Sequence, residues 1–213
     1  MIEVNPQASR TVPFVSKAKM VPLARIAAKV MVGYKLKDLG PTGEPKLSHV
    51  AIKEAVFSFD KLPGVVVLGP EMKSTGEVTG IDDDFGRAYY KVELAAGTNL
   101  PLNGTVLISV RNEEKAKAIP IAKKLSELEF RILATRGMAE TLTSAGVKPK
   151  QCLRLMKAAH IVDYIKSGMI HLIINVPKGK GPKDDEFQIR RDALEYKLPY
   201  ITTIAAAHAA VKL

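Results

Sequence analysis

The second half of the chain alternates short apolar runs with longer segments that repeat apolar residues at helical spacing. The run Thr105–Val110 predicts a buried strand, and the amphipathic segment Glu113–Leu128 predicts the helix that follows it. Strands separated by helices of this length indicate an α/β domain, a five-stranded parallel sheet with helices on both faces. The other four predicted strands are Phe130–Ala134, a segment near Cys152, His171–Val176 and Tyr200–Thr203.

The first half of the chain has a less regular pattern. Residues 1–15 predict a short strand followed by a polar loop, Val50–Phe59 predicts a strand, and Phe85–Ala96 predicts a helix that Gly97 ends. The change of rhythm predicts two units. A partial α+β unit covers residues 1–100, and the α/β domain covers residues 101–213.

The excess positive charge lies in the second half. Residues 1–100 carry 13 Lys and Arg against 11 Asp and Glu, and residues 101–213 carry 19 against 11. This bias indicates an anionic partner such as a phosphorylated small molecule, or a solvated basic face. Nucleic acid is disfavoured because the chain is 6% aromatic and has no Trp for base stacking.

The remaining composition points to a cytoplasmic protein that does not cross a membrane. No apolar run reaches the length of a transmembrane helix, and no charged-then-apolar leader opens the sequence. The single cysteine, Cys152, cannot form an internal disulfide and suits a reducing compartment. No cluster of Cys and His has the spacing of a metal site.

Polar and basic residues recur where the predicted strands end. In open parallel sheets ligands bind beyond the carboxyl ends of the strands, where helix N-termini add positive potential. These residues therefore predict a site for a phosphate-bearing ligand, although Ser, Thr and Asn also cap helices at such points. They are Ser109, Lys115, Thr135, Arg136, Asn175, Lys178 and Lys180.

The segment 3–11, EVNPQASRT, is similar to the metal-binding strand of ATP-grasp ligases. Residues two apart on a strand point to the same side, so Glu3 and Asn5 could place two oxygen ligands on one Mg²⁺ or Mn²⁺ ion. The resemblance implies that this ion is bound together with ATP and that Arg10 contacts phosphate or substrate. Gln7 departs from the family, which usually has Arg there.

Longer motifs narrow the resemblance to the large subunit of carbamoyl-phosphate synthetase. They are VPFVSK at 12–17, LARIAAK at 23–29, LGPEMKSTGEV at 68–78 and DALEYKLPYITT at 192–203. The resemblance implies the tail of the second ATP-grasp half followed by a regulatory domain similar to methylglyoxal synthase. It also implies that the partners are the remaining large-subunit segments and the glutaminase small subunit.

The resemblance implies that the chain alone makes no carbamoyl phosphate. The family uses bicarbonate, ammonia and two ATP, in arginine and pyrimidine biosynthesis. The Gly-rich loop over ATP, the adenine pocket and the other metal-binding carboxylate are not in this sequence, so we expect no complete ATP site. We also expect an exposed sheet edge that favours self-association.

The resemblance assigns a nucleotide effector to the sheet domain, with UMP the first choice and IMP the second. Two departures are Met138, where relatives have a Thr that helps to hold phosphate, and Val176-Pro177, where relatives have hydroxyl-bearing residues. Arg136, Lys178 and Lys180 would compensate with charge. The implied contacts are Ser109, Lys115, Thr135, Arg154 and Asn175.

The resemblance also implies a second effector site, of the ornithine type, at the junction of the two units. Its residues would be Glu54, Leu68, Tyr200 and Thr202. Two other functions stay open. One is an enzyme like methylglyoxal synthase, although the Gly-Gly-Asp-Gln-Gln stretch with that enzyme's general base does not occur. The other is an assembly module that docks on other large-subunit segments and binds no effector.

Overall fold

The computed structural model of the chain describes residues 11–40, 42–57, 74, 76–147, 158–177 and 183–212. The predicted strand at the start of the chain and the predicted strand near Cys152 lie outside these residues. The helices and strands of the first half are α1 Thr11–Ala18, α2 Leu23–Met31, β1 Val50–Val56, β2 Gly76–Asp82 and α3 Phe85–Ala95.

The second half alternates strands and helices as its apolar pattern predicts. Its elements are β3 Thr105–Val110, α4 Lys115–Glu127, β4 Arg131–Ala134, α5 Arg136–Ser144, α6 Ala158–Lys166, β5 Leu172–Val176, α7 Lys183–Glu195, β6 Tyr200–Ile201 and α8 Ile204–Ala210. The strands lie in the order β4-β3-β5-β6, and every neighbouring pair is parallel. The α/β fold class is confirmed, with four strands in the described residues where the sequence predicts five.

Each face of this sheet is covered by its own helices, because strand residues alternate between the two sides. On one face Val106, Ile108 and Ile174 pack with buried residues of α4, α5 and α8. On the other face Leu107 and Ile173 pack with buried residues of α6 and α7. The sheet is therefore buried on both sides, as parallel sheets generally are.

The prediction of a polar loop up to residue 15 is wrong for residues 11–15, which begin α1. Pro13 does not prevent this helix, because N–H groups in the first turn have no partner within the helix. Ala18 at the end of α1 is buried. Residues 1–10 of the same prediction lie outside the described residues.

The first half of the chain packs on the sheet domain through α3. Antiparallel β1 and β2 form a hairpin against one side of α3, where Gly80 meets the helix backbone at Ala88 and Val92. Tyr89 and Tyr90 of α3 pack against the core on the α4 side of the sheet. α3 thus packs against the hairpin of the first half and against the sheet domain of the second half. The division at residue 100 stays a prediction.

Gly80→Ala should destabilise the protein. A Cβ at this position would lie 2.8 Å from the backbone nitrogen of Val92 and closer still to the Ala88 carbonyl oxygen, and backbone atoms cannot yield as a side chain can. We expect a loss of about 1–3 kcal/mol in the free energy of unfolding, measured with urea. Gly76→Ala is the control, since a Cβ there meets nothing within 4 Å. Equal stability of the two variants would contradict this packing.

Candidate functional site at the carboxyl end of the sheet

In three strands, at the same level of the sheet, an apolar residue is followed two positions later by a polar one. These residues lie on the face that α6 and α7 cover. Leu107 in β3 is followed two residues later by Ser109, and Ile173 in β5 by Asn175, which is paired with Ser109 in the strand register. Leu133 in β4 likewise precedes Thr135. Neighbouring strands lie about 4.8 Å apart. The predicted residues Thr135, Ser109 and Asn175 therefore form one polar row, called here the rim.

Lys115 reaches the end of the rim from the neighbouring helix. It begins α4, two residues after the predicted start of this helix, and its Nζ lies only 2.7 Å from the position that a Cβ on Gly137 would occupy. Gly137 is in the first turn of α5. The absence of a side chain at Gly137 thus lets the ammonium lie against the beginning of α5. In the described part of the chain, Lys115 has no carboxylate partner.

The beginning of α5 adds donors beside this ammonium. Thr135 is the N-cap residue, yet its side chain makes no capping hydrogen bond. The first N–H groups of a helix have no acceptor within it, and the helix dipole makes this end positive. An ammonium, a hydroxyl and free helix N–H groups suit a phosphate. These groups could together accept an anion at the Thr135 end of the rim.

The side chain of Arg136 takes no part in this arrangement as the structure has it. Its Nε is paired with Glu140 at 3.1 Å, one turn along α5, and both side chains are mostly exposed. Such surface pairs are weak, about 0.3–0.5 kcal/mol, so an incoming anion could compete for Arg136. The predicted compensation by Arg136 stays a prediction.

Asn175 forms the other end of the rim with a residue predicted for a different site. Its side chain is 6% exposed, and its Nδ2 donates a hydrogen bond of 2.7 Å to the hydroxyl of Tyr200 in β6. Tyr200 was predicted as part of the ornithine-type site. The structure therefore joins one residue from each predicted effector site.

Two of the residues that depart from the family pattern, Met138 and Val176, are apolar core residues. Met138 is fully buried among the helix residues on the α4 side of the sheet, and Val176 is buried on that same face. Neither side chain belongs to the rim, because the rim lies on the opposite face. A hydroxyl is thus absent at both positions, and the buried space is filled.

Several predicted residues lie outside the described residues. Among the side chains of the described ranges, no group of three or more His, Cys, Asp and Glu could hold a metal ion. The metal and ATP prediction therefore stays a prediction. The residues outside are Glu3, Asn5, Arg10, Leu68, Arg154, Lys178 and Lys180, together with Gln7.

Glu54 of the predicted ornithine-type site meets a second carboxyl group that the sequence analysis missed. Burial raises the pKa of Glu54 to about 7, and the nearby Glu93 carboxylate adds to the rise. Glu93 is 8% exposed in α3, and burial raises its pKa too, against hydrogen bonds with Tyr89 and Thr98. Tyr89 and Glu93 are four residues apart on a helix, and this spacing is the signal that could have indicated a hydrogen-bonded, buried Glu93.

The other two described residues of that predicted site lie on the sheet domain. Tyr200 begins β6, and Thr202 is exposed just after it. Thr203, not Thr202, caps α8, accepting a hydrogen bond from the N–H of Ala206 at 3.1 Å. The Thr202 hydroxyl is thus not needed for the cap. The ornithine-type assignment stays a prediction.

A cavity of about 260 Å³ lies away from the rim, between α1 and the β1–β2 hairpin. Phe14, Lys17 and Lys53 contribute to its lining, and Lys53 is paired with Glu77 at 3.2 Å. Its volume is below the about 300–1,000 Å³ of usual ligand pockets. It therefore does not rival the rim as a nucleotide site.

Two histidines have structural partners. The ring of His49 forms a hydrogen bond of 2.8 Å with the Ala18 carbonyl, and Nδ1 of His171 accepts from the N–H of Thr105 at 3.1 Å. His208 is exposed at the end of the chain.

Comparison with known proteins shows a similarity that extends over the whole chain. The chain is 55% identical over its whole length to the carbamoyl phosphate synthase large chain of Archaeoglobus fulgidus, and 52% identical over 99% of its length to that of Methanoculleus marisnigri. The chain is thus similar, along its whole length, to one section of the carbamoyl phosphate synthase large chain. It spans about a fifth of these two relatives, since the match covers 20% of each.

Other matches agree with this assignment. The chain is 52% identical over its whole length to the carbamoyl phosphate synthase large chain, C-terminal section, of Methanopyrus kandleri, and it covers 41% of that protein. Residues 117–202 match the MGS-like domain. Both findings confirm the resemblance to the synthetase large subunit and the methylglyoxal-synthase-like sheet domain. No helix in the described ranges is long and apolar enough to cross a membrane.

The acid pair predicts a pH dependence of stability. Glu54 has a pKa near 4.5 unfolded and about 7 folded, so folding penalises its charged form. Stability should therefore fall as pH rises from about 4.5 through about 7. Glu54→Gln should exceed the wild type by about 1 kcal/mol at about pH 8, a value reduced for the half-exposed side chain, and should match it at about pH 4.5.

Urea unfolding at several pH values measures this effect. Glu77→Gln is the control on the same hairpin, because Glu77 is already paired with Lys53. A wild-type stability that stays level between about pH 4.5 and 8, or an equal gain in the control, would show that Glu54 is not the cause.

Proposed function

We propose that this chain is the regulatory section of a carbamoyl phosphate synthase and that its rim binds a nucleoside monophosphate effector. UMP is the first candidate and IMP the second. The enzyme would act in the cytoplasm, in pyrimidine and arginine biosynthesis. The phosphate would lie at the Thr135 end of the rim, and the nucleoside would extend toward Asn175.

One observation carries this proposal. The Lys115 ammonium lies against the first turn of α5, within 2.7 Å of the Cβ position of Gly137, and has no carboxylate partner in the described ranges. A cation without a partner beside a helix N-terminus favours an anion strongly, since each contributes positive potential. The net charge of the second half supports the same ligand class. The capping alternative is weakened, because the Thr135 side chain makes no cap hydrogen bond.

The segment 3–11 would contribute to catalysis only in the assembled enzyme. There Glu3 and Asn5 would bind Mg²⁺ or Mn²⁺ with ATP, and Arg10 would contact phosphate or substrate, beside the other large-chain sections and the glutaminase subunit. The metal would neutralise phosphate charge. The isolated chain should make no carbamoyl phosphate from bicarbonate, ammonia and ATP.

Lys115→Ala and Thr135→Val should each abolish or greatly weaken UMP or IMP binding, measured by calorimetry on the 213-residue chain. Charge-assisted hydrogen bonds contribute about 1.5–3 kcal/mol, which is roughly 10–100-fold in affinity. Lys124→Ala is the control, because it removes an exposed lysine of the same helix that pairs with Glu127 at 3.3 Å. If Lys115→Ala binds as the wild type does, the assigned site is wrong.

Gly137→Ala separates binding from folding. The new Cβ would occupy space within 2.7 Å of the Lys115 Nζ, so the flexible ammonium must move away. Alanine also has a higher helix propensity than glycine. We expect weaker nucleotide binding together with unchanged or slightly higher thermal stability. Undiminished binding would mean that the phosphate does not lie beside Gly137.

A second candidate function, the assembly module, is favoured by α2. This helix buries no residue, although it is strongly amphipathic, and apolar residues at its end and just after it are exposed. Met31, Val32 and Tyr34 are 87%, 75% and 57% exposed. Exposed apolar surfaces of this kind mark interaction sites. Because the relatives are about five times as long as the matched region, we propose that this surface docks on the preceding large-chain sections.

Met31→Glu should weaken that docking by at least about tenfold, because it brings a charge into an apolar contact. The partner is the part of the Archaeoglobus fulgidus large chain that precedes the matched region, and calorimetry measures the affinity. Met169→Glu makes the same exchange at another exposed methionine, on the sheet domain. Equal affinity of both variants and the wild type would remove α2 from the interface.

A further inference from the structure

The bond between Asn175 and Tyr200 follows from the register of β5 and β6. Tyr200 lies opposite Ile173, two residues before Asn175, so its long side chain extends along β5 toward the carboxyl end of the sheet. There its hydroxyl accepts the 2.7 Å hydrogen bond from Asn175 Nδ2. Tyr200 thus comes from the beginning of one strand and acts at the end of its neighbour.

This bond fixes which atom of the amide is available to a ligand. A carboxamide has two N–H donors and one carbonyl acceptor, and a half-turn of the group exchanges them. Asn175 is almost fully buried, so its polar atoms must find partners in the protein or in a ligand. Because Tyr200 accepts from Nδ2, the carbonyl Oδ1 is left as an acceptor in the rim.

We infer that Tyr200 is a positioning residue of the rim, which holds the Asn175 amide so that Oδ1 accepts a hydrogen bond from the bound effector. The inference rests on the proposed nucleotide function. It also states which ligands the rim selects. A ribose hydroxyl or an imide N–H of a base can donate to Oδ1, whereas inorganic phosphate, mainly an acceptor, gains nothing from Asn175.

Affinities for a nucleotide and for inorganic phosphate separate a positioning role of Tyr200 from a merely structural one. Tyr200→Phe should weaken UMP or IMP binding by about 3–10-fold, the usual effect of one hydrogen bond, and should leave inorganic phosphate binding within about twofold of the wild type. Thr202→Val is the control, because it removes a nearby exposed hydroxyl. A merely structural role would weaken the nucleotide and phosphate alike and lower the thermal stability.

A double-mutant cycle shows whether Tyr200 acts through Asn175. Asn175→Ala should also weaken nucleotide binding, and adding Tyr200→Phe to it should cost nothing more. Effects that multiply in the double variant, or nucleotide binding unchanged in Tyr200→Phe, overturn the inference. If Asn175→Ala does not fold, the ratio of nucleotide to phosphate affinity in Tyr200→Phe decides alone.

Nucleotide binding by the wild type tests the proposed function separately from the role of Tyr200. If the unaltered chain binds neither UMP nor IMP, the proposed function is overturned, and the positioning role with it. If the wild type binds nucleotide and the Tyr200→Phe and Thr202→Val variants bind it equally well, only the positioning role is wrong.

Discussion

Parallel pairing of β3 with β4 and β5 is the constraint on which the rest of the site depends. It brings the carboxyl ends of three strands to one edge, and the alternation of side chains places Ser109, Thr135 and Asn175 on a single face. On the opposite face the chain stays apolar to the strand ends, with Val110 and Val176 buried. The same backbone arrangement thus supplies a packed core on one side and a polar row on the other.

The second constraint is the close approach of α4 and α5. Lys115 begins one helix and Gly137 lies in the first turn of the other, so an ammonium lies at a positive helix end with no side chain between them. Two positive groups held together repel, and a bound anion relieves that repulsion. This repulsion lowers the stability of the unliganded fold, and an anionic ligand would restore it.

The sequence predicts the sheet domain well, because strand ends and helix starts follow from local apolar patterns. Ser109, Lys115, Thr135 and Asn175 were found in this way, and the family resemblance added the ligand class. Gly137 was missed, because its importance depends on the position of Lys115, a residue 22 places earlier in the chain. Local patterns also miss the hydrogen bond between Asn175 and Tyr200, since only the register of β5 and β6 brings the two residues together.

The first half was harder to predict, because its contacts are less local. The local pattern predicts a loop for residues 11–15, which begin α1, and does not mark Glu93 as a buried acid, although Tyr89 stands one turn before it. Burial of Glu93 arises because α3 packs on the β1–β2 hairpin and on the sheet domain at once. Helical spacing alone could not show that both sides of α3 are covered.

A nucleotide phosphate bound between Lys115 and the beginning of α5 should perturb the backbone amides at that end of the helix. The most direct measurement is a UMP titration of ¹⁵N-labelled protein, followed by NMR through the backbone amide signals. If the phosphate lies there, we expect the largest shifts at Arg136 and Gly137, whose N–H groups have no acceptor within the helix, with smaller shifts along the rim to Asn175. Saturable binding that leaves the signals of Arg136 and Gly137 unchanged would contradict it.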